Sequence, residues 1–89
     1  MRGKLRKGSV IIWTGREYQT LTQMEYDLFQ TMRNHPDVIW TRERLLRDVW
    51  GFQSSADTRT VDMCVLRLRR KIGADRIQSV YGKGYVLIT

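Results

Sequence analysis

Apolar and β-branched positions cluster at both ends of the chain, and between them lie three stretches in which apolar residues recur at helical spacing. Ser9-Val10-Ile11-Ile12-Trp13, the turn signal Thr14-Gly15-Arg16 and the returning Glu17-Tyr18-Gln19-Thr20 predict a hairpin. Leu5 to Lys7 reads as a short further strand, so the N-terminal strands occupy 1–20. A first helix over 22–34 has a mechanism for starting. Thr22 as N-cap and Glu25 three residues on form a capping box, Leu21 and Tyr26 form a hydrophobic staple, and Leu28, Phe29 and Met32 continue the apolar stripe. Asn34-His35-Pro36 stops it, since proline cannot continue a helix and disfavours helical geometry at the residue before it. After Val38-Ile39-Trp40, Thr41 caps a second helix over 41–50 in which Leu45, Leu46, Val49 and Trp50 supply apolar faces, and Gly51 ends it.

Phe52 to Asp57 is a long connection, with Phe52 expected at the surface, and Asp57 or Thr58 caps a third helix over 58–72. At about 100° of rotation per residue, Val65, Leu68 and Ile72 fall within about 40° of Val61. Arg59, Met63, Arg67 and Arg70 gather near the opposite side. The first group faces protein and the second faces out. Asp62, on the flank, is expected to ion-pair with another helix, Arg69 is divided between such a pair and a phosphate, and Lys71 reads as solvated surface. Gly73 closes the helix, and 76–88 reads as a second hairpin whose tip, Gly82-Lys83-Gly84, is basic and flanked by glycine.

Charge narrows the class of partner. The 89 residues carry 16 Lys and Arg against 9 Asp and Glu, a formal net charge of +7, and the isoelectric point near 10.2 is that of a polyanion binder. Arg2, Lys4, Arg6 and Lys7 crowd the start and Arg67, Arg69, Arg70 and Lys71 sit together late, whereas Glu17 to Asp37 is acidic on balance. The length suits a single domain over 1–89. One cysteine excludes an internal disulfide, and no Cys/His cluster has zinc-site spacing. No apolar run reaches the roughly 18 residues of a membrane span and no signal-peptide core is present, so a cytoplasmic protein without a membrane partner is expected.

Three helices followed directly by a hairpin is the layout of an α+β winged helix-turn-helix, with N-terminal antiparallel β-strands, a three-helix core and a C-terminal β-hairpin wing. In that layout the third helix enters the major groove of DNA. Leu21-Thr22-Gln23-Met24-Glu25-Tyr26, Thr41-Arg42-Glu43-Arg44-Leu45-Leu46 with Val49-Trp50-Gly51, Asp57-Thr58-Arg59-Thr60-Val61-Asp62 with Leu68-Arg69-Arg70-Lys71-Ile72, and Val80-Tyr81-Gly82-Lys83-Gly84-Tyr85 follow one another in order. From about Ser9 to the C-terminus the chain thereby resembles the effector domain of OmpR/PhoB-type bacterial response regulators. The resemblance implies sequence-specific binding of double-stranded DNA in transcriptional regulation, as tandem copies on direct-repeat half-sites. It also implies that Thr60, Met63 and Arg67 lie nearest base edges, that Arg42, Trp50, Arg59 and Arg69 lie near phosphates, and that the loop Gln53, Ser54, Ser55, Ala56 and Asp57 faces RNA polymerase. Ser79 and Lys83 join the backbone set, and Tyr81, Gly82 and Lys83 form the wing's approach to the minor groove. The chain departs from the family pattern at Tyr81, where arginine is common, at Leu66, where a basic residue is, and at Cys64, where histidine is frequent.

Each residue also has a plainer reading. Arg67 is either a fork on guanine O6 and N7 or a phosphate contact, and Met63 meets either a thymine methyl or a neighbouring subunit. Trp13 and Trp40 read as core or sheet packing, Trp50 as a donor to phosphate, Tyr81 and Tyr85 as packing with stacking on DNA the second reading for Tyr81, Cys64 as a small core residue, and His35 as a capping or surface group. No nucleophile with a partnered base, carboxylate pair or phosphate-cradling loop is present, so no catalytic site, metal or cofactor is expected. Two rival functions stay open: a winged-helix protein–protein interaction module built on Phe52, Met63 and Leu66, and an RNA or single-strand binder, which would need exposed aromatic platforms.

Overall fold

The computed structural model describes residues 8–88; the strand expected at Leu5 to Lys7 lies outside them. β1 (Val10–Trp13) and β2 (Tyr18–Leu21) pair antiparallel, with Val10 opposite Leu21 and Trp13 opposite Tyr18. Thr14 closes the turn: its hydroxyl donates to the Glu17 carbonyl at 3.0 Å and accepts from the Arg16 and Glu17 amides at 3.3 Å. α1 (Gln23–Arg33) follows at once. Its capping box is formed as the spacing predicts: Thr22 Oγ1 accepts the Glu25 amide at 3.1 Å, and Glu25 Oε1 accepts the Thr22 amide at 2.9 Å.

α2 is capped by Thr41, whose hydroxyl accepts the Arg44 amide at 3.0 Å. Its first turn, Arg42–Leu45, is α-helical. Its second, Leu46–Trp50, is π-helical, where a uniform α-helix was expected. The Gly51 amide causes the widening by reaching back five residues to Leu46 O at 3.1 Å while also meeting Arg47 O at 3.0 Å. α3 (Thr58–Ile72) is capped by Asp57, whose carboxylate accepts the Thr60 amide at 3.2 Å. Its buried face, Val61, Cys64, Val65, Leu68 and Ile72, packs into one cluster with Leu28, Phe29 and Met32 of α1 and Leu45 of α2. Burying each such side chain contributes roughly 1.5–3 kcal/mol, so this face is committed to holding the fold.

The wing is β3 (Ile77–Val80) and β4 (Gly84–Leu87), with Ile77 opposite Leu87 and Val80 opposite Gly84. Beyond β4 the short Val38-Ile39-Trp40 stretch completes the edge, because Trp40 and Tyr85 exchange backbone hydrogen bonds at 2.7 and 2.9 Å. The two glycines of the expected tip have different jobs. Gly82, at φ +72°, sits in the turn closed by the Lys83 amide on Val80 O at 2.9 Å. Gly84 is not at the tip; it is buried where β4 crosses α2's entry, and a Cβ there would lie 1.9 Å from the Trp40 carbonyl oxygen. Tyr85 packs as expected, but Tyr81 does not: the Gly82 turn carries its ring wholly into solvent.

Gly84→Ala is expected to cost roughly 2–4 kcal/mol, combining overpacking against backbone with a strained φ of +152°. Gly15→Ala, whose Cβ meets nothing, should lose only about 1 kcal/mol. Urea unfolding of the two variants checks this, and equal losses would mean that β4 is not seated on Trp40.

Candidate nucleic-acid interface

With one side of α3 committed to the core, the other is left to solvent. Arg59, Met63, Leu66, Arg67 and Arg70 are exposed along it, Met63 at 48 %. Thr60 is half-buried, its amide and hydroxyl both turned to the Asp57 cap. Among the described residues the side chains of Arg59 and Lys83 make no hydrogen bond or ion pair, so both cations are available. At the wing, Ser79, Tyr81, Gly82 and Lys83 are all exposed.

Two carboxylates join α3 to its neighbours. Asp62 accepts Arg42 Nε from α2 at 2.7 Å and the Tyr85 hydroxyl from β4, and the Arg42 guanidinium lies 5.7 Å from the Tyr85 ring centre. Asp62 therefore pairs with another helix, as its flank position suggests, and also docks the wing beside α3. Burial pushes the Asp62 carboxyl up, but the hydrogen bonds from Tyr85 and Arg42 and the Arg42 charge outweigh it and hold the group below its ordinary range.

Glu25 is the second. Its carboxylate is 1 % exposed, and it accepts Lys71 Nζ at 2.7 Å and Arg67 Nε at 3.3 Å besides the Thr22 amide. Lys71 Nζ also donates to Thr20 O at 2.9 Å, so Lys71 is a strut between α3, α1 and β2 and not the solvated cation expected. Its position on the flank nearest α1 explains the difference. Burial pushes Glu25 up; hydrogen bonds from Lys71, the Thr22 amide and Arg67, with the Lys71 charge, bring it below its ordinary value. Breaking such a buried pair costs about 3–5 kcal/mol, whereas the exposed Arg44–Asp48 pair is worth about 0–1 kcal/mol.

The remaining sequence-derived positions spread over neighbouring surfaces. Arg42 is exposed but already engaged with Asp62, Trp50 is half-buried against the core, and Arg69 is half-buried on the flank of α3. In the loop, Gln53 and Ser55 are exposed, the Ser54 hydroxyl accepts the Ala56 amide at 3.0 Å, and Asp57 serves as the α3 cap. Phe52 is 86 % exposed, with the Arg47 guanidinium 5.8 Å from its ring. Trp40 is core, and Trp13 packs on the sheet against Tyr18 at 4.9 Å. Burial pushes the Cys64 thiol up to about 11, which leaves it an unreactive core residue at neutral pH. Among the described residues no group of His, Cys, Asp and Glu has metal-site geometry, and no helix is long and apolar enough to cross a membrane.

The capping spacing reveals Glu25 only as the partner of Thr22. The signal of its further role is its place on the apolar side of α1, three residues before Leu28 and four before Phe29. An acid on a buried stripe requires a cation from another element.

The chain matches the family described as "Transcriptional regulatory protein, C terminal" over residues 15–87. It is 35 % identical over 83 residues to the uncharacterized transcriptional regulatory protein YclJ of Bacillus subtilis, covering 90 % of this chain and 37 % of that protein. It is 45 % identical over 67 residues to the transcriptional regulatory protein CseB of Streptomyces coelicolor, covering 75 % and 29 %. The chain thus spans about a third of the length of these curated relatives. Among solved structures it superposes on the DNA-binding domain of the response regulator AdeR, in complex with an intercistronic region, with a TM-score of 0.71 and 30 % identity, covering 93 % of this chain and 88 % of that one.

Because Glu25 and Asp62 are both held below their ordinary range, their contribution to folding is complete above roughly pH 5 and is lost as the pH falls through the folded values. Thermal unfolding followed from pH 6 down to pH 3 should show a falling melting temperature. Asp62→Asn should be less stable at neutral pH and should show a shallower acid decline; an unchanged slope would mean that Asp62 does not carry its share.

Proposed function

Because the chain belongs to the family of transcriptional regulatory protein C-terminal domains, we propose that it binds double-stranded DNA in the control of transcription. In this reading α3 enters the major groove and the wing lies on the adjacent backbone or minor groove. The observation that carries the proposal is the division of α3: Val61, Val65, Leu68 and Ile72 are buried while Arg59, Met63, Arg67 and Arg70 stand exposed on a chain of net charge +7. The docking of β4 on α3 through Tyr85 and Asp62 puts the wing beside that face. The complex formed by the related AdeR domain supports the same reading.

Arg67, with Thr60 and Met63, takes the base edges. Arg42, Trp50, Arg59, Arg69, Ser79 and Lys83 take phosphates, and Tyr81, Gly82 and Lys83 approach the minor groove. With Tyr81 fully exposed beside the Gly82 turn, the wing offers an aromatic ring to the groove. Tandem copies on direct repeats, RNA polymerase at the loop from Gln53 to Asp57, and a cytoplasmic setting complete the proposal. The exposure of Phe52 together with Met63 and Leu66 favours one alternative, a protein–protein interaction module. Salt separates the two, since phosphate contacts release counterions and lose affinity as salt rises, whereas apolar docking does not.

Duplex binding measured by fluorescence anisotropy over a range of salt concentrations should weaken steeply with salt. Arg67→Ala should cost about 1–3 kcal/mol and relax preference at one base position. Arg59→Ala or Lys83→Ala should weaken all duplexes alike and lower the salt slope by about one. Failure to bind any duplex even at low salt would favour the protein-interaction module.

A further inference from the structure

Glu25 lies behind the proposed reading face, on α1, and its carboxylate is buried too deeply for it to touch DNA. It nonetheless bonds the side chain assigned to the bases. Its two oxygens are divided: Oε1 takes the Thr22 amide at 2.9 Å and Lys71 Nζ at 2.7 Å, and Oε2 takes Arg67 Nε at 3.3 Å. The Arg67 side chain is half-exposed, and among the described residues its ion pair with a carboxylate is made through Nε, which leaves the two terminal nitrogens without a carboxylate partner. A guanidinium is planar, so a bond at Nε fixes the plane and leaves the terminal fork pointing outward in a set direction.

We propose that Glu25 is a positioning residue for base recognition: through Arg67 Nε it holds the guanidinium plane so that the terminal fork meets a guanine edge without first being ordered. The inference rests on the reading of Arg67 as the base contact. An unheld arginine must lose rotamer freedom on binding, and a held one has lost it already. Glutamine at this position keeps one acceptor oxygen, which the capping box and Lys71 occupy, and turns its amide donors toward Arg67 Nε. A donor facing a donor releases the arginine while the helix start stays capped.

The test is selection from a pool of randomised DNA duplexes, read by sequencing, for wild type, Arg67→Ala, Glu25→Gln and Lys71→Met, with melting temperatures measured alongside. Wild type should prefer guanine at one position by about 5- to 150-fold, the range of a bidentate contact, and Arg67→Ala should abolish that preference. Glu25→Gln should reduce it at the same position by about fivefold or more and leave the other positions unchanged. Lys71→Met also removes a partner of Glu25 and also lowers the melting temperature, yet it should keep the preference, because Arg67 remains held. A folded Glu25→Gln that retains the wild-type preference, or a Lys71→Met that loses it to the same extent, would overturn the proposal. If Arg67→Ala shifts no position, the base-contact reading itself fails, a pattern distinct from either. Should Glu25→Gln not fold, the wild type still decides: the Arg67 Nε–H should exchange with water more slowly than that of the unpartnered Arg59 by NMR, and equal rates would refute the positioning role.

Discussion

A carboxylate hidden among apolar side chains must be matched by donors, and the matching of Glu25 determines how three parts of this fold meet. Its bond to the Thr22 amide starts α1 where β2 ends. Its bonds to Lys71 and Arg67 set the rotation of α3 against α1, and Lys71 in turn reaches Thr20 O on β2. Rotating α3 by one position would carry both cations away from the carboxylate and leave a buried charge unpaired. The packing of Val61, Val65, Leu68 and Ile72 needs the same rotation, so polar and apolar requirements agree on one orientation.

The opposite flank of α3 is held by Asp62, and there the constraint is shared with backbone. The Tyr85 hydroxyl can reach Asp62 only because β4 lies against Trp40, and β4 can lie there only because residue 84 has no Cβ. Arg42 closes the same junction from α2. The helix is thus fastened on both flanks, by Lys71 on one and Asp62 on the other, with the wing joined at Asp62; of the outward-facing side chains Arg67 alone shares in this. This explains how a small domain exposes Arg59, Met63 and Arg67 on a helix whose other face supplies much of its core.

Local chemistry made much of this legible in advance. The Thr22–Glu25 capping box, the stop before Pro36, the Asp57 cap and the two faces of α3 follow from bonds within one turn of helix or from a single periodicity, which a sequence displays directly. What escaped was set by contact between distant segments. Lys71 resembles any solvated lysine until Glu25 and Thr20 come together beside it. Gly84 resembles a turn glycine until Trp40 arrives, and Tyr81 resembles a packing residue until the Gly82 turn projects it. The π-helical turn of α2 depends on where the Gly51 amide finds its acceptors, which spacing alone does not reveal. Among the proposed contacts, the α3 positions were readable from the helical period, whereas the prior engagement of Arg42 and Arg67 with carboxylates was not.

In the proposed function the outward face of α3 and the wing tip together form the DNA-binding surface. NMR titration of the protein with a duplex selected from a randomised pool tests it most directly, because every described residue reports at once. The largest shift changes should fall on Arg59, Thr60, Met63 and Arg67 and on Tyr81 to Lys83, with the sheet residues Ile11, Trp13 and Tyr18 unmoved. Changes confined to those sheet residues or to the Phe52 loop, with α3 silent, would contradict it.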